Sequence, residues 1–332
     1  MSEIGFRPAW WARGGHAQTL LGSLLPSPAP RRVRRERVEL PDGDFLDLDW
    51  VGRDREEAPI VLILHGLCGS SESPYARGML RAIEDRGWRG VVMHYRGCSG
   101  EPNRLSRSYH SGETGDLDFM VHRIRSQYEL TPLALVGFSI GGNIVLKWLG
   151  ETAVDSSKRG APREVSAAVA VSVPFDLAAV ATHMNRGMTR VYRDRLLHRL
   201  RQMTHLKRAH GLLELELTHA GIKELSTFRD FDDRVTAPMH GFSSADEYYE
   251  RATCRPWLRR IEAPTLIVHA RNDPFMPCGC VPGPDALSDR IEVILTPDGG
   301  HVGFLGGPWP WRPQRWLNEV IPAWVARRFS DG

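Results

Sequence analysis

Five short stretches of this chain are apolar at nearly every position: Ile60–Leu64, Gly90–Met93, Leu133–Val136, Ala167–Val173 and Thr265–Val268. A strand covered on both faces of its sheet reads this way, because neither side meets water. Between these runs lie longer segments with helical spacing of apolar residues, at Tyr75–Asp85, Glu113–Tyr128 and Ile140–Leu149. The alternation predicts an α/β fold with a mostly parallel central sheet and helices on both faces. Upstream, Val38–Leu40 and Phe45–Trp50 flank Pro41-Asp42-Gly43-Asp44, the mark of an antiparallel hairpin closed by an Asp-Gly turn. Downstream, Ile291–Leu295 reads as a last strand and Pro313–Phe329 as a C-terminal helix.

The rhythm breaks after Val173. Roughly ninety residues separate that strand from Thr265, far more than a crossover helix needs. The interval is rich in arginine, histidine and helix formers, with apolar positions at Val191, Leu196, Leu197 and Leu200. The expected organisation is an α/β core from 1–173 and 264–332, with a helical cap inserted over 174–263. No internal repeat and no low-complexity linker is evident.

Composition narrows the function. With 332 residues, 42% hydrophobic and 25% charged, the chain is long enough for one large α/β domain. A formal charge of +3 is too mild to argue for nucleic acid. The basic run Arg31-Arg32-Val33-Arg34-Arg35-Glu36-Arg37 reads as a solvated lead-in to the first strand. No apolar stretch reaches the length of a membrane span, and the N-terminus lacks a secretory apolar region. Five scattered cysteines, with Cys278-Gly279-Cys280 at the wrong spacing for a zinc pair, read as reduced thiols of a cytoplasmic protein. No metal or cofactor is expected, since no histidine-rich ligand spacing occurs. The tryptophans Trp10, Trp11, Trp309, Trp311, Trp316 and Trp324 read as packing residues.

The chemistry concentrates at Ala134-Leu135-Val136-Gly137-Phe138-Ser139-Ile140-Gly141-Gly142-Asn143. A buried strand runs into a serine flanked by glycines and then into a helix, the pattern of a nucleophile elbow. A Cβ at 137 or 141 would meet the tightly turned backbone. A serine hydroxyl needs a base to take its proton and an acid to orient that base. In this architecture both should follow strands, in the order serine, acid, histidine. Asp273, after Thr265–Ala270, and His301, in Thr296-Pro297-Asp298-Gly299-Gly300-His301, fit that order. Asp176 is a rival acid, and Asp298 lies too near His301 along the chain. Ser99 is a weaker nucleophile candidate, since no helix follows it, and nothing nearby would lower the pKa of Cys98. The oxyanion of acyl attack needs donors. The backbone N–H of Ile140, at the helix start, is one candidate, and that of Leu67, after His65-Gly66, is the other.

Several strings resemble the YheT-like branch of the α/β-hydrolase superfamily, the AB hydrolase 4 family, from about residue 10 to about residue 325. They are Gly15-His16-Ala17-Gln18-Thr19, Leu40-Pro41-Asp42-Gly43-Asp44, His65-Gly66-Leu67 and His94-Tyr95-Arg96-Gly97-Cys98-Ser99-Gly100-Glu101-Pro102-Asn103. Tyr109-His110-Ser111-Gly112-Glu113-Thr114, Phe231-Asp232-Asp233, Tyr248-Tyr249 and Gly299-Gly300-His301-Val302-Gly303-Phe304 continue the likeness. The resemblance implies an esterase with Ser139 as nucleophile, Asp273 as acid and His301 as base. The expected function is a cofactor-free serine carboxylesterase acting on small or lipid-like esters, without nucleic-acid partners or stable membrane insertion. Two alternatives stay open: acyl transfer to an alcohol, and a hydrolase scaffold kept as a binding module.

Overall fold

The computed structural model describes residues 5–53, 55, 57–154 and 165–330. The apolar runs become the middle of an eight-stranded sheet in the order β1-β2-β4-β3-β5-β6-β7-β8. These strands are β1 (Arg34–Glu39), β2 (Phe45–Val51), β3 (Ile60–Leu64), β4 (Arg89–Met93), β5 (Leu133–Phe138), β6 (Ala167–Val171), β7 (Thr265–Ala270) and β8 (Ile291–Thr296). The hairpin β1–β2 is antiparallel and joins β4 antiparallel; every later pairing is parallel. Leu40 and Asp44 close the hairpin with a backbone bond of 2.8 Å, and Gly43 takes φ +85° in its turn. The five residues of β3 and the six of β5 are all buried, as unbroken apolar runs require.

Helices cover both faces. On one face lie α3 (Gly115–Gln127) and α4 (Ile140–Thr152), which share a core with Leu62, Leu135 and Ala168. On the other lie α2 (Pro74–Glu84) and the C-terminal helix Leu317–Ser330, packed on Ile63, Val136 and Val169. Successive residues of one strand thus feed opposite cores, the period of two expected of a strand. An N-terminal helix, α1 (Gly15–Leu24), precedes the sheet.

Between β6 and β7 the chain is helical: α5 (Leu177–His183), α6 (Thr189–Ala209), α7 (His219–Glu224), α8 (Phe228–Phe231) and α9 (Ala245–Ala252), with a π-helical turn at Asp232–Thr236. These elements have a third apolar core of their own, including Leu197, Ile222, Phe231 and Tyr248.

Four details differ from the sequence reading. The strand expected to reach Val173 stops at Val171, because Ser172 turns to φ +53°. The C-terminal helix starts at Leu317 rather than Pro313, because Gln314–Arg315 pairs with Leu305–Gly306 as a short ribbon. The basic run leads into the sheet exposed to solvent at Arg31–Val33, but its Arg34–Arg37 part already belongs to β1, where Arg35 clasps Asp49 and Arg37 clasps Asp47 with bonds of 2.8 Å. Of the tryptophans, Trp316 and Trp324 are buried, whereas Trp10, Trp309 and Trp311 are exposed.

Burial works against charge on Asp44, Asp47 and Asp49, yet Asn103 on Asp44, Arg37 on Asp47 and Arg35 on Asp49 hold each carboxyl below the usual carboxylate range. A folded value below the unfolded one means stability present above the ordinary range and lost as the pH falls through the depressed folded values. The thermal midpoint should therefore fall as the pH drops from about 5 toward about 2, and Asp47→Asn should show a shallower fall. Equal slopes for parent and variant in a pH series of thermal melts would contradict this.

Candidate active site

The last residue of β5 is Phe138, and the first of α4 is Ile140, so Ser139 alone makes the turn between them. It sits at φ +54°, ψ −120°, a region costly for a residue with a Cβ. Its N–H is held by the carbonyl of Val171 at 2.8 Å. A Cβ on Gly137 would overlap the carbonyl of Gly141, and one on Gly141 would overlap that of Leu64. The two glycines are therefore a steric requirement of the turn.

Opposite the hydroxyl, the loop after β8 brings His301 within 2.9 Å of Ser139 Oγ through Nε2. Its Nδ1 lies 2.9 Å from Oδ2 of Asp273, in the loop after β7. Because a carboxylate only accepts, Nδ1 carries the proton and donates it, leaving the Nε2 lone pair facing the hydroxyl. Asp273 is buried; burial raises its pKa, but His301 outweighs this and keeps the carboxyl below its usual range, ionised beside the imidazole. The N–H of Phe275 also donates to it at 2.9 Å, and the Phe275 ring stacks on His301 with centroids 4.0 Å apart and planes 6° from parallel. The three residues expected to meet across the chain are thus brought into one hydrogen-bonded row.

The rivals are occupied elsewhere. Asp176 caps α5 by accepting from the Ala179 N–H, and exposed Asp298 accepts from Asn272. Ser99 is bonded to Asp47 at the base of the hairpin. Burial pushes the thiols of Cys68 and Cys98 upward, the former to about 11, the reverse of what a reactive thiol needs.

The loop after β3 is tied at almost every backbone group. Gly66 N–H donates to Tyr75 Oη at 2.8 Å, Cys68 N–H to Tyr109 Oη at 2.9 Å, and Gly69 N–H to the Gly66 carbonyl at 2.9 Å. Tyr95 Oη donates to the His65 carbonyl at 3.0 Å. His65 is itself buried; burial drives its pKa down to about 3, so the ring is neutral, with Nδ1–H donating to Gly66 and Nε2 accepting from the Tyr95 N–H. Within this loop the N–H of Leu67 donates to no protein group among the described residues, nor does that of Ile140 at the start of α4. Both residues line the cavity that contains Ser139 and His301.

The sequence reading missed these supports. Asp49 accepts from Ser71 Oγ at 2.6 Å and from His94 Nε2 at 2.8 Å as well as from Arg35, tying the hairpin to the loops after β3 and β4. Arg96 is buried among Asp42, Asp44 and Asp116, and Asn103 donates to Asp44 at 2.6 Å. On the other side, Thr19 of α1 accepts the backbone N–H of His301 at 2.8 Å, and Gln18 grips Leu305 through both its amide atoms. A Cβ on Gly15 would overlap the Asn272 carbonyl, and one on Gly303 that of Gln18. The N-terminal string therefore braces both the loop that carries Asp273 and the loop that carries His301. Its only sequence signal was the resemblance.

The cavity holds about 520 Å³ and runs from Ser139 and His301 beneath the inserted helices, past Leu177, Leu200, Met203, Phe228 and Met239. Its wall includes His110 and His240, whose ring nitrogens, with Glu113, lie within 4.8 Å of one another. Burial and neighbouring cations push both imidazoles down to about 3, so they are neutral. A metal ion is poorly served there: Arg107 already donates to Glu113 at 2.7 Å, and His110 Nδ1 accepts from Gly112. Asp232 is also in this wall; burial pushes it up to about 6 even though Tyr249 and Thr236 both donate to it at 2.7 Å.

This sheet order, elbow and row of side chains define an α/β-fold hydrolase. The chain belongs to the α/β-hydrolase family: the alpha/beta hydrolase fold matches residues 59–308. It is 43% identical to the protein named "Putative esterase YheT" of Escherichia coli (strain K12), over 98% of this chain and 94% of that one. It is 29% identical to "Phospholipase ABHD3" of Homo sapiens, over 98% of this chain and 80% of the relative. Among solved structures, the Pyrococcus furiosus esterase Pf2001 covers 92% of this chain and 96% of its own, with a TM-score of 0.53 at 16% identity, a likeness of fold.

If Thr19 positions the base, Thr19→Val leaves the His301 N–H without its acceptor while keeping the volume. We expect kcat on a soluble ester to fall about tenfold with little change in KM, in line with an unsatisfied buried donor of about 1–3 kcal/mol. Thr19→Ser should restore it. A Val variant with parent kcat would contradict the brace.

Proposed function

We propose that this chain is a serine carboxylesterase that cleaves carboxylic esters with short to medium acyl chains through an acyl-enzyme. The observation that supports this most is the unbroken row Ser139 Oγ, His301 Nε2, His301 Nδ1 and Asp273 Oδ2, with 2.9 Å at each contact. Ser139 Oγ attacks the ester carbonyl as His301 Nε2 takes its proton. The proton then passes from Nε2 to the leaving alkoxide, which departs as the alcohol. Water repeats the sequence in the second half, losing its proton to Nε2 and releasing the acid with Ser139 reprotonated.

Asp273 stays ionised and stabilises the imidazolium; its depressed pKa and its burial suit that role. The amides of Leu67 and Ile140 receive the developing oxyanion, each lowering the barrier by about 3 kcal/mol. Their lack of internal partners supports the assignment, since a donor already engaged would be of no use to the substrate. The apolar tunnel under the inserted helices suits an acyl chain, and the human relative named as a phospholipase is compatible with a lipid-like ester. The chemistry asks for no cofactor.

Ser139→Ala should abolish turnover of p-nitrophenyl esters across a chain-length series and remove labelling by a fluorophosphonate, while circular dichroism stays at the parent spectrum. Turnover or labelling that survives at the parent level would refute the assignment. Run with added ethanol, the same assay should yield free acid as the main product; an ester product in excess would move the reading to acyl transfer.

A further inference from the structure

Two segments far apart in sequence meet at the N-terminal end of α1. Ala9 N–H donates to the Leu305 carbonyl at 2.9 Å, Trp10 Nε1–H to the Pro308 carbonyl at 3.0 Å, and Trp11 Nε1–H to the Gly307 carbonyl at 3.1 Å. Arg315 donates from the other side to the carbonyls of Gly22 and Leu25 at 3.1 and 2.6 Å, so α1 and the loop at 303–315 form one bonded unit. On it stand Trp10 at 63% exposure, Trp309 at 51% and Trp311 at 76%, the last two stacked with centroids 5.1 Å apart.

We propose that this aromatic surface docks the protein peripherally onto an anionic lipid bilayer, with the mouth of the cavity turned toward the lipid. An exposed tryptophan is unusual, and three on one bonded unit ask for a partner. The indole N–H of Trp10 is tied back to the backbone, so its exposure follows from the local hydrogen bonding and is not a loose rotamer. A ring with an apolar body and a polar edge is the side chain that settles at a membrane–water boundary.

Charge selects the kind of surface. Residues 5–35 contain no aspartate or glutamate, nor do residues 299–318. Arg7, Arg13 and Arg312 are exposed here, and among the described residues none of them has an ion pair. Cationic residues interleaved with tryptophans match anionic headgroups over an apolar interior. The same unit reaches the cavity: Leu20 and Ser23 of α1 line it, with Leu20 36% and Leu24 63% exposed. Val191 of α6 also lines the cavity and is 62% exposed. Exposed aliphatic groups among the lining residues favour hydrocarbon over nucleic-acid bases, and the stacking of Trp309 on Trp311 leaves those rings less open to a base. No helix among the described residues is long and apolar enough to cross a membrane, so the contact is peripheral.

The test is flotation of the full chain through a density gradient with vesicles of phosphatidylcholine alone or with about one third phosphatidylglycerol. The parent should float with the anionic vesicles, stay below with the neutral ones, and be released by raised salt. Trp309→Ala/Trp311→Ala, at exposed positions, should keep the parent melting temperature and lose at least about tenfold in partition, as should Arg7→Glu/Arg312→Glu. A parent that fails to float with anionic vesicles, or a tryptophan variant that floats like the parent, would overturn the proposal. So would sedimentation without lipid that finds the parent dimeric and the tryptophan variant monomeric, since the patch would then belong to a second copy.

Discussion

The turn at Ser139 is the constraint on which the site depends. A non-glycine residue is held at positive φ between a buried strand and a buried helix, and nothing local favours it there. The hold comes from outside the turn: the Ser139 N–H is fixed on Val171, and glycines at 137 and 141 let the backbones of β3, β5 and α4 close in. The same distortion lifts the hydroxyl out of the strand and leaves the next amide unspent. Cys68, Ser172 and Val302 are the other non-glycine residues at positive φ among those described. Cys68 lies in the loop that carries Leu67, Val302 follows His301, and Ser172 accepts the Val302 N–H at 3.0 Å. Strain in this molecule is gathered around one cluster of side chains.

Strain of that kind persists only where the surroundings over-determine it, and two braces supply this. One is polar: the hairpin aspartates hold Arg35, His94, Arg96 and Asn103, Asp49 reaches the loop after β3 through Ser71, and Tyr95, between His94 and Arg96, donates to the His65 carbonyl. The other is α1, whose Thr19 and Gln18 grip the backbone on either side of His301 and Val302. A row of three side chains with 2.9 Å contacts needs each loop positioned to a few tenths of an ångström. The bonds of Tyr75, Tyr95, Tyr109, Thr19 and Gln18 account for that positioning better than these short loops could by themselves.

Much of this was readable from the chain. Continuous apolar runs identified the parallel strands because burial on both faces leaves no choice of side chain, and strand order placed Asp273 and His301 after β7 and β8. The ends of elements were less legible. Val173 is as apolar as its neighbours, but the strand ends where Ser172 turns, a choice set by a bond to a residue 130 positions away. Pro313 looked like a helix start, yet the adjacent pair joins a ribbon with Leu305–Gly306. The braces were invisible to periodicity, since Thr19, Gln18 and Asp49 find partners only in three dimensions. Burial of tryptophan was the wrong expectation for Trp10, Trp309 and Trp311: the indole of Trp10 is tied to the Pro308 carbonyl, and Trp309 and Trp311 stack on each other outside the core.

Above the sheet, the inserted helices carry their own apolar core and roof a cavity whose wall mixes methionine and leucine with neutral histidines and a reluctant carboxylate at Asp232. The central claim is geometric: the strained turn, the braced loop and the braced base converge on one reacting carbon. A crystal structure of the adduct with an alkyl phosphonate tests this most directly. The account predicts phosphorus bonded to Ser139 Oγ, with the phosphonyl oxygen accepting from the amides of both Leu67 and Ile140 and the alkyl chain running beneath the inserted helices. A phosphonyl oxygen turned away from those amides, or phosphorus bonded to another side chain, would contradict it.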